Sequence, residues 1–240
     1  LAQLAATTDG KITATDAKKA ADSDHGIEVA LFGRMVADSK DLNVDSAVQV
    51  AHALSTHAVE IESDYFTAVD DYKLDEDDAG AGMIGTVEFT SETLYRFAAV
   101  AVSTLKDNLG DVDLTAQAAS AFVRGFIMSM PTGKQNTFAN NTIPDAVVVQ
   151  VRKGRSASFI GAFEDPVTSD DGGFVAASCQ AVAAYAHDCE EAFLGAPEAS
   201  FVTRVGSRTE AIGTMGTQMP IDDLVSSVRD QVTSLLQDES

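Results

Sequence analysis

TVEFTSETLYRFAAVAV, residues 86–102, decides how the chain is read. Val87, Phe89, Tyr95, Phe97, Val100 and Val102 give it the β-branched and aromatic content of a long strand, or of a strand with a bulge. Downstream, residues 114–130 read as a helix: Asp113 can cap its start, Pro131 stops it, and Ala118, Phe122, Phe126 and Ile127 form a stripe suited to packing on a sheet. Residues 143–151 follow, with consecutive apolar residues at 146–149 between Pro144 and the basic run at 152–155, the pattern of a buried strand. Upstream, GIEVALFG at 26–33 alternates Ile27, Val29 and Leu31 and closes on Gly33, which predicts another strand ending in a turn. Strand, insertion, strand, helix, strand is the order of the last four elements of a βαββαβ ferredoxin-like unit. The first strand and helix of that unit would precede Leu1, and the chain, which lacks an initiator Met, reads as the remainder of something longer.

Inside the insertion, Val44, Ala47, Val48, Ala51 and Leu54 have the spacing of an amphipathic helix, and residues 70–82 read as an acidic loop. Residues 1–23 mix small and polar residues around a DGK turn at 9–11 and suggest short helical fragments. Beyond residue 155, the Ala-rich stretch 174–194, with Val182 and Tyr185, predicts a helix. Ile221, Leu224, Val225, Val228, Val232 and Leu235 predict a second, amphipathic helix that closes the chain.

With 240 residues and 45% hydrophobic composition the chain can bury a sizeable core. Its longest apolar stretch, around 97–105, falls well short of the roughly 20 residues that cross a bilayer, so no membrane partner is expected. Cys179 and Cys189, ten apart in one helical stretch, fit neither a disulfide framework nor a zinc knuckle, and reduced thiols in a cytoplasmic protein are expected. The net charge is -21, but it is unevenly spread. Residues 114–163 carry Arg124, Lys134, Arg152, Lys153 and Arg155 against Asp145 alone, so a polyanion contact is to be sought there.

GKQNTF at 133–138 can form a loop whose backbone amides, Lys134 ammonium, and Gln135 and Asn136 side chains address phosphate and ribose oxygens. It is not a P-loop: the GxxxxGK[ST] spacing is absent and the segment follows a helix. Asp64, Asp70 and Asp71 with His52 and His57 offer the residue types of a metal-dependent ribonuclease. A five-residue His spacing on a helix, however, turns the two rings well apart, and a run of acids is more simply a solvated loop. No GxSxG motif is present and no base stands beside a Cys.

Six segments in register, EVALFGRM (28–35), AHALSTH (51–57), DYFTAVDD (64–71), GTVEFTSETLYRFAAV (85–100), DNLG (107–110) and PTGKQNTFA (131–139), resemble the CasC-type backbone subunit of the type I-E CRISPR Cascade complex. The resemblance runs from about Asp24 to Val151. It implies an α+β fold: an incomplete RRM-like palm at 26–155 with a thumb inserted at about 36–85, a remnant of helical fingers at 1–25, and a helical C-terminal part at 156–240. The implied role is non-catalytic and uses no cofactor. Identical copies would stack head to tail along a CRISPR RNA, alongside other Cascade subunits, and hold it for pairing with target DNA, which the chain would meet only indirectly. By the same resemblance Tyr65, Phe66 and Thr67 wedge beside the RNA, Ile84 and Met83 face them across a kink, and Arg34 and Met35 end a strand at an RNA contact. Lys134, Gln135, Asn136 and Arg152 complete the expected RNA-binding set. A CRISPR endoribonuclease and an adaptor without RNA contact are the alternatives.

Overall fold

The structure, a computed structural model, describes residues 13, 15, 26–68, 83–169 and 173–238. Apart from residues 13 and 15, the fragments expected at 1–23 lie outside the described residues, as does the acidic loop at 70–82.

The chain is α+β, and its central feature is a long antiparallel excursion. Strands β1 (Val48–Val50), β2 (Leu54–Ser55) and β3 (Glu62–Ala68) run out, and β4 (Met83–Phe89), β5 (Leu94–Tyr95) and β6 (Ala98–Val100) run back. Pairing is nested: β3 with β4, β2 with β5, β1 with β6. The continuous strand expected at 86–102 is therefore three strands, each with its own partner, and Val102 already belongs to helix α2 (Val102–Leu109). Pairing partners also correct the helix expected from Val44 to Leu54. Val48 and Val50 fit the pleated surface opposite Val100 and Ala98, and that tertiary pairing prevails over helical spacing.

The strand expected at 26–33 is instead helix α1 (Ile27–Phe32). A short segment with apolar Ile27, Val29, Ala30, Leu31 and Phe32 around Glu28 satisfies both periods, and here adjacent Ala30 and Leu31 are both buried, as a helix face allows and a half-buried strand does not. Gly33 ends it at φ 77, and a Cβ there would lie 2.7 Å from the Val44 carbonyl oxygen, so only glycine fits. The first strand of the expected order is accordingly β1.

Helix α3 (Val112–Met128) fits its expected position, but Asp111, not Asp113, is the cap: its carboxylate accepts the Leu114 amide at 2.7 Å. Its principal partner is another helix, α6 (Ile221–Asp238), whose Leu224, Val228, Val232 and Leu236 are buried against Ala116 and Ile127. Between them and the rest lies β7 (Ala146–Val151), antiparallel to β8 (Ala199–Arg204), which pairs in parallel with β9 (Thr217–Gln218). Val147 and Val149 face the α3–α6 core, while Ala146 and Val148 face the cluster of Cys179, Val202 and Ile212. A strand covered on both sides has no reason to alternate, which is why 146–149 is an unbroken apolar run. Helix α5 (Val175–Cys189) with its continuation to Leu194 agrees with expectation. The C-terminal part is not wholly helical, because ASFVTR at 199–204 supplies the middle strand of the sheet.

Both cysteines are free thiols, and burial together with the charge of Asp145 pushes the Cys179 thiol up to about 11. Among the described residues no helix is long and apolar enough to cross a membrane.

Two outcomes follow for the core. Leu224→Ala lowers the free energy of unfolding by about 2–5 kcal/mol in urea denaturation. Iodoacetamide at neutral pH leaves Cys179 unmodified in the native chain, because the thiolate is the reactive species; mass spectrometry detects its alkylation only after denaturant is added or as pH rises towards 11.

Candidate nucleic-acid interface

The β3–β4 ribbon stands out from the body with both faces open. Its register pairs Tyr65 with Thr86, Phe66 with Gly85, Thr67 with Ile84 and Ala68 with Met83. Alternation then places Asp64, Phe66, Met83, Val87 and Phe89 on one face, and Tyr65, Thr67, Ile84 and Glu88 on the other. Tyr65 is 75% exposed, Ile84 71%, Met83 55% and Phe66 42%. Apolar side chains on both sides of an uncovered two-stranded ribbon cost solvation on each face until another surface covers them. Phe66 lies across its partner glycine: a Cβ on Gly85 would stand 2.6 Å from the tip of the ring. Glycine here lets an aromatic plane lie flat on the ribbon.

The ribbon is held at its root. His57 is buried and stacks on Phe174 with ring centroids 3.7 Å apart. Its Nε2 accepts the Thr93 amide at 3.1 Å, and Nδ1, which then carries the proton, donates to the Ala58 carbonyl at 2.8 Å. The incoming and returning strands are thus tied to each other and to the start of α5. Thr56, also buried, accepts from the Ser178 hydroxyl at 2.8 Å and from the Val167 amide at 2.8 Å.

The basic loop meets the ribbon at this root. Lys134 has φ 59 and precedes the single helical turn α4 (Gln135–Phe138), whose Phe138 ring rests 6.0 Å from Phe89, on the Phe66 face. Lys134, Gln135 and Asn136 are exposed, and among the described residues their side chains have no hydrogen bond or ion pair. Phe66 and Lys134, far apart in sequence, are therefore brought to one side of the molecule. Arg34 and Met35 diverge: Arg34 bridges to Val44 and spends its Nε and Nη2 on the Leu42 carbonyl at 2.9 and 2.7 Å, whereas Met35 is 86% exposed.

Arg152 is engaged inside the protein. Its guanidinium is buried, ion-paired to Glu190 and hydrogen-bonded to Gln150 and the Gly195 carbonyl. Arg124 is likewise paired, with Asp222 at 2.5 Å. The cationic strip read from 114–163 is not one surface, and Lys134 is its member beside the ribbon.

The ribonuclease constellation does not assemble among the described residues. His57 has both ring nitrogens engaged, His52 is exposed, and no group of acids, His and Cys able to hold a metal occurs. Asp70 and Asp71 lie outside the described residues. Reading the sequence took Phe89 only as a strand residue and gave Phe138 and Phe174 no role; pairing and stacking reveal them as the aromatic anchors of the root.

The sequence matches the family described as CT1975-like protein over residues 2–227. A chain of a solved structure described as a CRISPR RNA-guided surveillance complex, pre-nicking, is 32% identical, with a TM-score of 0.78 over 94% of this chain and 63% of that one. A second, described as a CRISPR RNA-guided surveillance complex, is 35% identical, with a TM-score of 0.73 over 84% of this chain and 78% of that one. This chain thus spans less than two thirds of the length of the first. No curated protein matches it.

The buried pair gives a direct outcome. Arg152→Ala leaves Glu190 without its countercharge and lowers stability by about 3–5 kcal/mol, read in denaturant unfolding, whereas Lys134→Ala changes it by less than about 0.5 kcal/mol.

Proposed function

Because the chain belongs to the CT1975-like protein family, we propose that it is a non-catalytic backbone subunit of a Cascade-type surveillance complex that holds a CRISPR RNA. Its similarity to chains of CRISPR RNA-guided surveillance complexes supports the assignment to such an assembly. The type I-E, CasC-type reading rests on the six sequence segments in register. The order β1, ribbon, β6, α3, β7 supports reading the body as part of an RRM-like palm and the ribbon as its thumb. Identical copies packed head to tail in the cytoplasm, other Cascade subunits beside them, and target DNA met through the RNA complete the proposal.

One observation carries the RNA-binding part: a ribbon apolar on both faces, rooted against a loop that presents a lysine unpaired among the described residues. Glu62, Asp64 and Glu88 lie on that ribbon, so phosphates are repelled from it. Base faces are not, and Phe66, Tyr65, Met83 and Ile84 offer them flat or soft apolar surfaces. Lys134 attends to a phosphate at the root. Division of labour of this kind grips a single strand without reading its sequence and accommodates a chain of net charge -21.

Binding of single-stranded RNA across a salt titration tests this. Phe66→Ala weakens binding by about 1–3 kcal/mol, roughly 5- to 150-fold in Kd, and Gly85→Val, which displaces the ring, weakens it comparably. Lys134→Ala makes the slope of log K against log salt shallower by about 0.7, one phosphate of a single strand. Equal binding by all variants contradicts the interface; binding without any salt slope favours an adaptor, and magnesium-dependent cleavage that Asp70→Ala abolishes favours a ribonuclease.

A further inference from the structure

We propose that Met35, Met83 and Met128 are redox modification sites, and that conversion of their thioethers to sulfoxides by hydrogen peroxide loosens the chain's hold on a single strand. The inference rests on the RNA-binding reading above and adds a reversible control to it. Two observations and the chemistry of the thioether carry it.

The first observation is a division among the methionines. The chain has six, and three are engaged. The Met130 sulfur accepts from the Arg96 guanidinium at 3.4 Å, and the Met219 sulfur accepts from the Ser227 hydroxyl at 3.5 Å while its side chain packs on the α3–α6 core. Met215 packs against the cluster of Cys179, Val202 and Ile212. The other three, Met35, Met83 and Met128, are each more than half exposed, and among the described residues their sulfur atoms accept no hydrogen bond. Methionine ordinarily fills gaps in a core, so an open half of the set is a departure from its usual use.

The second is place. Met83 opens β4 opposite Ala68, on the face of the ribbon that bears Phe66. Met128 ends α3 and lines a cavity with Gln135, in the turn that Lys134 precedes. Met35 lies beyond α1, next to the Arg34 that bridges to Val44. The ribbon, the surroundings of the basic loop and the Arg34 segment are the three places where the chain is read as meeting RNA.

An open thioether reacts with hydrogen peroxide by oxygen transfer. A sulfur lone pair attacks one peroxide oxygen, the O–O bond breaks as the S–O bond forms, and a proton shift releases the other oxygen as water. Sulfur is oxidised by two electrons and the peroxide is reduced by two. Methionine sulfoxide reductases reverse the change: two thiols become a disulfide and the oxygen departs as water. The sulfoxide replaces a soft apolar surface with a polar acceptor. On Met83 that acceptor stands on the Phe66 face, where a covering base face strips its hydration and offers no donor in return. The three engaged sulfurs are shielded, so the surface changes while the core does not.

Dilute hydrogen peroxide followed by peptide mass spectrometry places oxygen on Met35, Met83 and Met128 well before Met130, Met215 and Met219. Anisotropy of a labelled single-stranded RNA then shows Kd raised severalfold, with the circular dichroism spectrum retained. Methionine sulfoxide reductases for both epimers restore the original Kd, whereas dithiothreitol alone, which reduces disulfides and sulfenic acids but not sulfoxides, does not. In a chain carrying Met35→Leu, Met83→Leu and Met128→Leu, peroxide leaves Kd at that variant's own untreated value. Oxidation of the engaged three first, or of the open three with no change in Kd, overturns the proposal and leaves the RNA-binding reading standing. So does a peroxide effect that persists in the triple variant or yields to dithiothreitol alone. Absence of RNA binding before peroxide is added overturns both.

Discussion

Everything proposed for the ribbon depends on how it is held at its base. A two-stranded ribbon has no core of its own and is marginal in water, so neither its direction nor its existence can come from the seven-residue strands alone. The His57 ring supplies the missing constraint. It uses one nitrogen to bridge the two strands, the other to fix its own orientation, and its flat face to dock on Phe174. Phe89 against Phe138 adds a second aromatic contact at the root. These contacts turn a pair of strands into a lever with a fixed direction, and they place its Phe66 face beside the loop that carries Lys134.

Charge is then used sparingly. The acids on the ribbon, the buried ion pair of Arg152 with Glu190 and the surface ion pair of Arg124 with Asp222 all point the same way. Affinity for a polyanion built mainly on cations falls steeply with salt; one built on stacking against Phe66 and Tyr65, with few phosphate contacts, does not. The buried Arg152 belongs to the body instead, where it ties the end of β7 to the turn after α5.

What could be read in the sequence followed the length and coverage of each element. Helices α3 and α6 and the strand at 146–151 were legible because each repeats one clear pattern over many residues or sits between two covering layers. Residues 26–33 and 44–54 were misread because short apolar runs fit both periods, and only the pairing of 48–50 with 98–100 decides between them. Strand β8 was overlooked because ASFVTR is short and lies among helical segments. In the site, Tyr65, Phe66, Met83 and Ile84 were singled out by resemblance alone and are exposed on the ribbon, whereas the burial of Arg152 was not legible, since a basic run does not disclose which member faces Glu190.

The most direct measurement of the central claim is photo-crosslinking of the chain to single-stranded RNA containing thiouridine, with crosslinked peptides identified by mass spectrometry. The account predicts crosslinks within 62–68, 83–89 and 128–142, and none at the β7–α5 junction around Arg152. Crosslinks clustered at 150–155 and 186–195, with the ribbon unlabelled, would contradict it.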